Sequence, residues 1–134
     1  MRKDARETAF RLIYGYLFDE SKTDSLEERL TSFDDVTLDE EDKVYVKDVF
    51  EGVEENQAML KELVEKNAIG YKLDRVYMVD LAILLVALYE IKYRDDIPEK
   101  VSCNEAVELA KKYSTEKSPS FINGILASVL KESK

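Results

Sequence analysis

The sequence contains no histidine and a single cysteine, Cys103. Those two facts exclude His-dependent nucleophilic triads, His-ligated metals, zinc fingers and disulfide scaffolds. Glycine occurs four times and proline twice, a scarcity that favours long unbroken elements over turn-rich β architecture. Long apolar runs are missing as well. The longest, Leu81 to Tyr89, has nine residues, against the ~20 that span a bilayer. The start, MRKDARETAF, is charged and lacks the apolar stretch of a secretory signal. A soluble, cytoplasmic protein with no membrane segment is expected.

What is present is a chain of 134 residues, 45% hydrophobic and 37% charged. That length suits one domain, and the mixture is too apolar for a disordered chain. The net charge of −9 is unevenly spread: Asp34 to Glu65 holds twelve acids against three lysines, and the rest of the chain is balanced. An acidic balance argues against a general nucleic-acid binder, because repulsion from phosphate is long-ranged at low salt. It leaves room for a local basic site away from that segment, whose plain reading is a solvated helix face.

Helical periodicity dominates. Ala9, Leu12, Ile13, Tyr16 and Leu17 form one stripe. Ser25 with Glu28, Thr37 with Glu40, and Ser102 with Glu105 each read as a capping box opening a helix. The second of these leads a long helix with Val46, Val49, Val53, Leu60, Leu63 and Val64 on one side, and Asn56 on the same stripe. Leu73 to Tyr93 is apolar nearly all round and is expected to be the central, buried helix. Ser118 as N-cap and Pro119 at the first helical position start a last helix carrying Ile122, Ile125, Leu126 and Val129. No alternating stretch reads as a strand. The expected fold is all-α, with about six to seven helices in a single domain over residues 1–134.

Candidate chemistry is thin. Cys103, at a helix start, has no histidine to act as its base, and a small packing residue is the simpler reading. Asp80 and Glu90 bracket the apolar run, but ten residues of helix separate them by ~15 Å, too far for one acid–base site. No glycine-rich phosphate loop occurs. The basic start carries more information: Arg2, Lys3 and Arg6 lie within one and a half turns, and Asp4 and Glu7 dilute them. Charge alone favours a solvated helix start over a nucleic-acid contact. Tyr14, Tyr16 and Phe121 offer stacking faces, although aromatics at helical spacing more often serve the core.

The residues in register point further. RKDARETAFRLIYGYLF (Arg2 to Phe18) resembles the first helix of the NusB family of bacterial transcription antitermination factors. ALYEIKYRDDIPEKVSCNEAVELAKKYSTEKSPSFINGIL (Ala87 to Leu126) resembles the family's second half, with an IP turn, a NEAVELAK helix and an FINGIL helix in order. The resemblance implies two three-helix bundles, no catalytic activity and no cofactor. It implies pairing with NusE, a ribosomal small-subunit protein, and joint binding of the boxA element of nascent ribosomal RNA. Other Nus factors and RNA polymerase would complete the assembly that suppresses premature termination.

By the same resemblance Arg2, Lys3, Arg6 and Phe121 fall at RNA-contacting positions, and Tyr14 and Asp80 at positions facing NusE. Three positions depart from the family pattern: Asp4 interrupts an arginine run, Leu85 stands where Arg is frequent, and Lys117 where an acid can occur. A related domain precedes RNA cytosine methyltransferases; at 134 residues this chain is expected to be the stand-alone factor. A homodimer would cover the surfaces assigned to NusE and RNA. The competing expectation is a helical protein-binding module that never touches RNA.

Overall fold

The computed structural model describes residues 2–18, 38–70 and 72–132. Among them every regular element is helical: α1 (Arg2–Phe18), α2 (Glu40–Asn67), a 3-10 turn (Leu73–Arg75), α3 (Met78–Tyr93), α4 (Glu99–Tyr113) and α5 (Ser118–Glu132). The helix expected after Ser25 lies outside the described residues, which is why five helices are seen where six or seven were expected.

α3 is central. Its middle, Asp80 to Glu90, is buried without interruption, as a helix apolar all round requires. α1 and α2 pack on it and on each other, and so do α4 and α5, so α3 is shared by two groups of three helices. The stripes meet there. Ala9, Leu12, Ile13 and Tyr16 of α1, Val46, Val49, Val53, Leu60 and Val64 of α2, and Ile122, Ile125, Leu126 and Val129 of α5 all belong to one core. The acids of α2 mostly face water, as at Glu51, Glu54, Glu55, Glu62 and Glu65.

The helix starts differ from the expected ones in instructive ways. α2 is capped by Asp39, whose side chain accepts from the Asp42 N–H while the Asp42 carboxylate accepts from the Asp39 N–H. The box is therefore Asp39–Asp42 rather than Thr37–Glu40, and Thr37 lies outside the described residues. α4 begins at Glu99, immediately after Pro98, so Ser102 is a buried interior residue and not a cap. α3 begins at Met78, because the 3-10 turn takes up Leu73 to Arg75. α5 does begin at Ser118, but the Ser118 hydroxyl donates to Asp80 at 3.0 Å instead of capping its own helix.

α2 is kinked at Asn56, whose backbone leaves the helical region (φ −111°, ψ 15°). Its amide donates to the Gly52 carbonyl at 2.8 Å, and its carbonyl oxygen accepts from the Tyr93 hydroxyl at 3.2 Å. A side chain bonding back into the ladder is a recognised cause of a kink. Gly52 is needed one turn earlier, because a Cβ there would overlap the Tyr89 ring. That ring cannot easily swing away: its hydroxyl donates to Asp48 at 2.9 Å and its face meets Tyr93 with centroids 5.2 Å apart. The Tyr89 phenol is pushed up to about 12, first by burial and then by Asp48.

Gly52→Ala should therefore destabilise the fold. Alanine adds about 1 kcal/mol of helix propensity, while forced overpacking costs roughly 1–3 kcal/mol. Urea denaturation should show a net loss. A more stable variant would mean that Tyr89 is free to move.

Candidate nucleic-acid interface

The residues expected to share one RNA site are distributed over both ends of α3. At the end where α3 finishes, Glu90 is 1% exposed and carries four hydrogen bonds. Arg6 Nε donates to Oε2 at 2.8 Å and Arg6 Nη2 to Oε1 at 3.2 Å. The Ser102 hydroxyl donates to Oε1 at 2.7 Å, and the Tyr45 hydroxyl donates to Oε2. One carboxylate thus ties α1, α2 and α4 to α3.

This corrects the expectation for Arg6. It is 4% exposed and committed to Glu90, with Glu105 at 3.6 Å. Burial alone would lower its pKa; the hydrogen-bonded Glu90, with Tyr45 and Glu105 nearby, raises it above the ordinary value instead. Arg6 is a permanently charged strut of the core, which no phosphate reaches without breaking a buried pair. Arg2 and Lys3 remain at the surface: the Arg2 guanidinium lies over the Tyr45 ring, 4.6 Å from its centre, and Lys3 is exposed beside Glu105, Glu108 and Lys112 in a narrow groove between α1 and α4. Further along that groove Glu7 accepts from Lys112 at 2.7 Å and from the Tyr113 hydroxyl. Burial would raise the Glu7 pKa, but those two donors hold it below the usual carboxylate range.

At the other end, the starts of α3 and α5 enclose an open cleft of about 600 Å³. Phe121 and Tyr77 supply aromatic faces there, Arg75 and Lys117 supply positive charge offset by Glu116, and Asp80 is also part of the lining. Asp80 also departs from its expected role as a surface contact. It is 2% exposed, and its carboxylate accepts from the Ser114 hydroxyl at 2.6 Å and the Ser118 hydroxyl at 3.0 Å. Tyr14 is half-buried on α1, edge-on to Phe18 with centroids 4.8 Å apart, and Phe18 is 63% exposed.

Arg2 and Lys3 therefore sit near Glu90 while Phe121 sits near Asp80, about 15 Å apart along α3 by helical rise. They form one site only for an extended ligand. Leu85, read as a departure that bears on RNA, is wholly buried in α3 and faces no ligand. Cys103 is half-buried against the core; burial, then Glu99, pushes its thiol up, away from a reactive thiolate.

Sequence reasoning missed Tyr45, Ser114 and Tyr77, and it read Ser102 as a helix cap rather than a partner of Glu90. A signal existed for part of this: two acids within an otherwise apolar helix must find partners if buried, and nearby serines supply donors to each. Among the described residues no group of three or more His, Cys, Asp or Glu side chains converges on a metal-sized site. No described helix is long and apolar enough to cross a membrane.

Comparison with known proteins places this architecture. The profile of the NusB family matches residues 3–131. Proteins named transcription antitermination protein NusB from Acetivibrio thermocellus and Ruminiclostridium cellulolyticum are 49% and 45% identical, each over 97% of this chain and 88% of the relative. The structure of T. maritima NusB matches with a TM-score of 0.87 at 33% identity, covering 98% of this chain and 92% of that one. A crystal structure of antitermination factors NusB and NusE in complex with dsRNA shares the fold, with a TM-score of 0.81 at 23% identity over 98% of this chain and 96% of that one. With its profile match running almost from end to end and relatives nearly half identical to it, the chain belongs to the NusB family.

Proposed function

We propose that this protein is a non-catalytic, cytoplasmic adaptor of transcription antitermination that pairs with NusE and with it holds the boxA RNA of nascent ribosomal transcripts. Other Nus factors and RNA polymerase would complete the assembly. The observation that carries this reading is the near-complete match to proteins named for transcription antitermination. The geometry supports it. Arg2 and Lys3 would meet the backbone at one end of α3, and Phe121 with Tyr77 would stack bases at the other, where Arg75 and Lys117 add charge. A single strand passing over the helices that cover α3 would connect the two; ~15 Å is about four nucleotides at ~3.4 Å per nucleotide, the low end of what single-strand binders engage. Tyr14 with the exposed Phe18 would form the aromatic part of the NusE surface.

A net charge of −9 means that the chain alone should hold RNA poorly. A basic partner would add phosphate contacts, so both proteins together should bind boxA RNA far more tightly than either does. A fluorescence titration with labelled boxA RNA across several salt concentrations, with and without NusE, tests this. Neutralising Arg2 and Lys3 should make the log–log salt slope shallower by up to ~0.7 for each phosphate that is no longer neutralised. Phe121→Ala should weaken binding and leave the slope nearly unchanged, since stacking releases no counterions. Equal RNA affinity with and without NusE would remove the shared site, and NusE binding with no RNA affinity at all would leave a protein-binding module.

A further inference from the structure

We propose that Tyr45 is a positioning residue for RNA: its ring face holds the Arg2 guanidinium in place at the start of α1, ready for a phosphate. The inference rests on the reading above, in which Arg2 meets RNA. Three guanidiniums surround this one ring, with Arg2, Arg94 and Arg6 at 4.6, 5.5 and 5.9 Å from its centre. Two of them are committed to carboxylates. Arg6 pairs with Glu90 at 2.8 Å, and Arg94 pairs with Asp48 at 2.9 Å and Asp96 at 2.8 Å. Arg2 makes its close approach over the face of the ring. Stacking by the flat face of a guanidinium leaves the in-plane N–H edges open, and those edges form the bidentate bonds to phosphate oxygens.

The platform itself is rigid. Tyr45 is 1% exposed, and its hydroxyl donates to Glu90, which Arg6 and Ser102 fix in turn. A guanidinium held by such a ring has already lost the rotamer freedom that binding would otherwise remove. The platform also answers a local hazard. Arg2 lies within electrostatic reach of Asp42 and Asp96, and the ring face competes with those two carboxylates for its guanidinium.

The test is titration of labelled boxA RNA in the presence of NusE, read beside the melting temperature of each variant. Arg2→Lys keeps the charge and gives up the guanidinium over the ring face, so affinity should fall about three- to tenfold without loss of stability. Tyr45→Leu should lose a comparable factor and Tyr45→Phe should restore it, although both remove the hydroxyl from Glu90 and lower the melting temperature. A merely structural Tyr45 would make RNA affinity follow stability, with Phe and Leu alike. Combined with Arg2→Ala, Tyr45→Leu should add no further loss. Wild-type affinity for Arg2→Lys, or additive losses in the double variant, would overturn the positioning role. No effect of Arg2→Ala would overturn it differently, by removing Arg2 from the RNA site altogether. Should Tyr45→Leu fail to fold, Arg2→Lys beside Tyr45→Phe decides the matter without it.

Discussion

Glu90→Leu should cost about 3–5 kcal/mol of folding stability, the range for breaking a buried ion pair from one side. The substitution leaves the Arg6 guanidinium charged at 4% exposure with its main partner gone. It also strands the hydroxyls of Tyr45 and Ser102, each donated to the same carboxylate. Glu105, already paired with Arg6 at 3.6 Å and partly exposed, would keep a share of the charge, so the cost should fall toward the lower end of that range. Glu90→Gln keeps one acceptor oxygen and should fall between wild type and Glu90→Leu. The informative variant is the double one. Arg6→Met with Glu90→Leu removes the unpaired buried charge and should recover the part of the loss due to it, while the Tyr45 and Ser102 hydroxyls stay without their acceptor. Urea denaturation of these three variants together with Arg6→Met alone reads the coupling directly. Additive losses in the double variant would mean that the stability lies in packing around Glu90 and not in its pairing with Arg6.

That network shows where the sequence is legible and where it is not. The central position of α3 follows from composition alone, because a helix with almost no polar face has to be covered on all sides. The stripes of α1, α2 and α5 are equally plain, and their residues meet in one core. Helix starts are less secure. TLDEED contains two overlapping capping boxes, Thr37–Glu40 and Asp39–Asp42, and spacing does not choose between them; the structure uses the second. Ser102 carries the pattern of a cap and the environment of a core residue, because Pro98 has already started α4 one turn earlier. The site suffers most from this kind of ambiguity. Arg2, Lys3 and Arg6 are indistinguishable by charge, yet Arg6 alone is removed from solvent, by a partner 84 residues away. A local pattern holds no trace of such a contact. The resemblance to the NusB family identified the fold and the helices that build it, and said nothing of which side chains those helices bury.

Asp80→Lys carries the other large expected effect, on stability and the cleft together. At 2% exposure the carboxylate has no face to offer a partner directly. It lies in the first turn of α3, where a negative charge complements the exposed N–H groups and a positive one opposes them. It also gathers the Ser114 and Ser118 hydroxyls, and the Ser118 oxygen accepts in turn from the Thr115 N–H at 3.2 Å. The turn between α4 and α5 is thus organised around this one carboxylate, and Phe121 and Lys117 are mounted on it. Lysine would bury an ammonium with no counter-charge and take the acceptor from two hydroxyls, a change of the class that costs several kcal/mol. Asp80→Asn keeps one acceptor and should cost only about 1–2 kcal/mol. The two variants separate scaffold from contact. If Asp80 acts by organising the turn, Asp80→Asn should leave NusE affinity near wild type, while Tyr14→Ala, on a half-buried surface residue, should lower it with little loss of stability. Calorimetric titration of NusE beside thermal melting reads both. A folded Asp80→Lys protein of wild-type stability would show that the carboxylate organises nothing, and a large loss of NusE affinity in Asp80→Asn would return Asp80 to the interface.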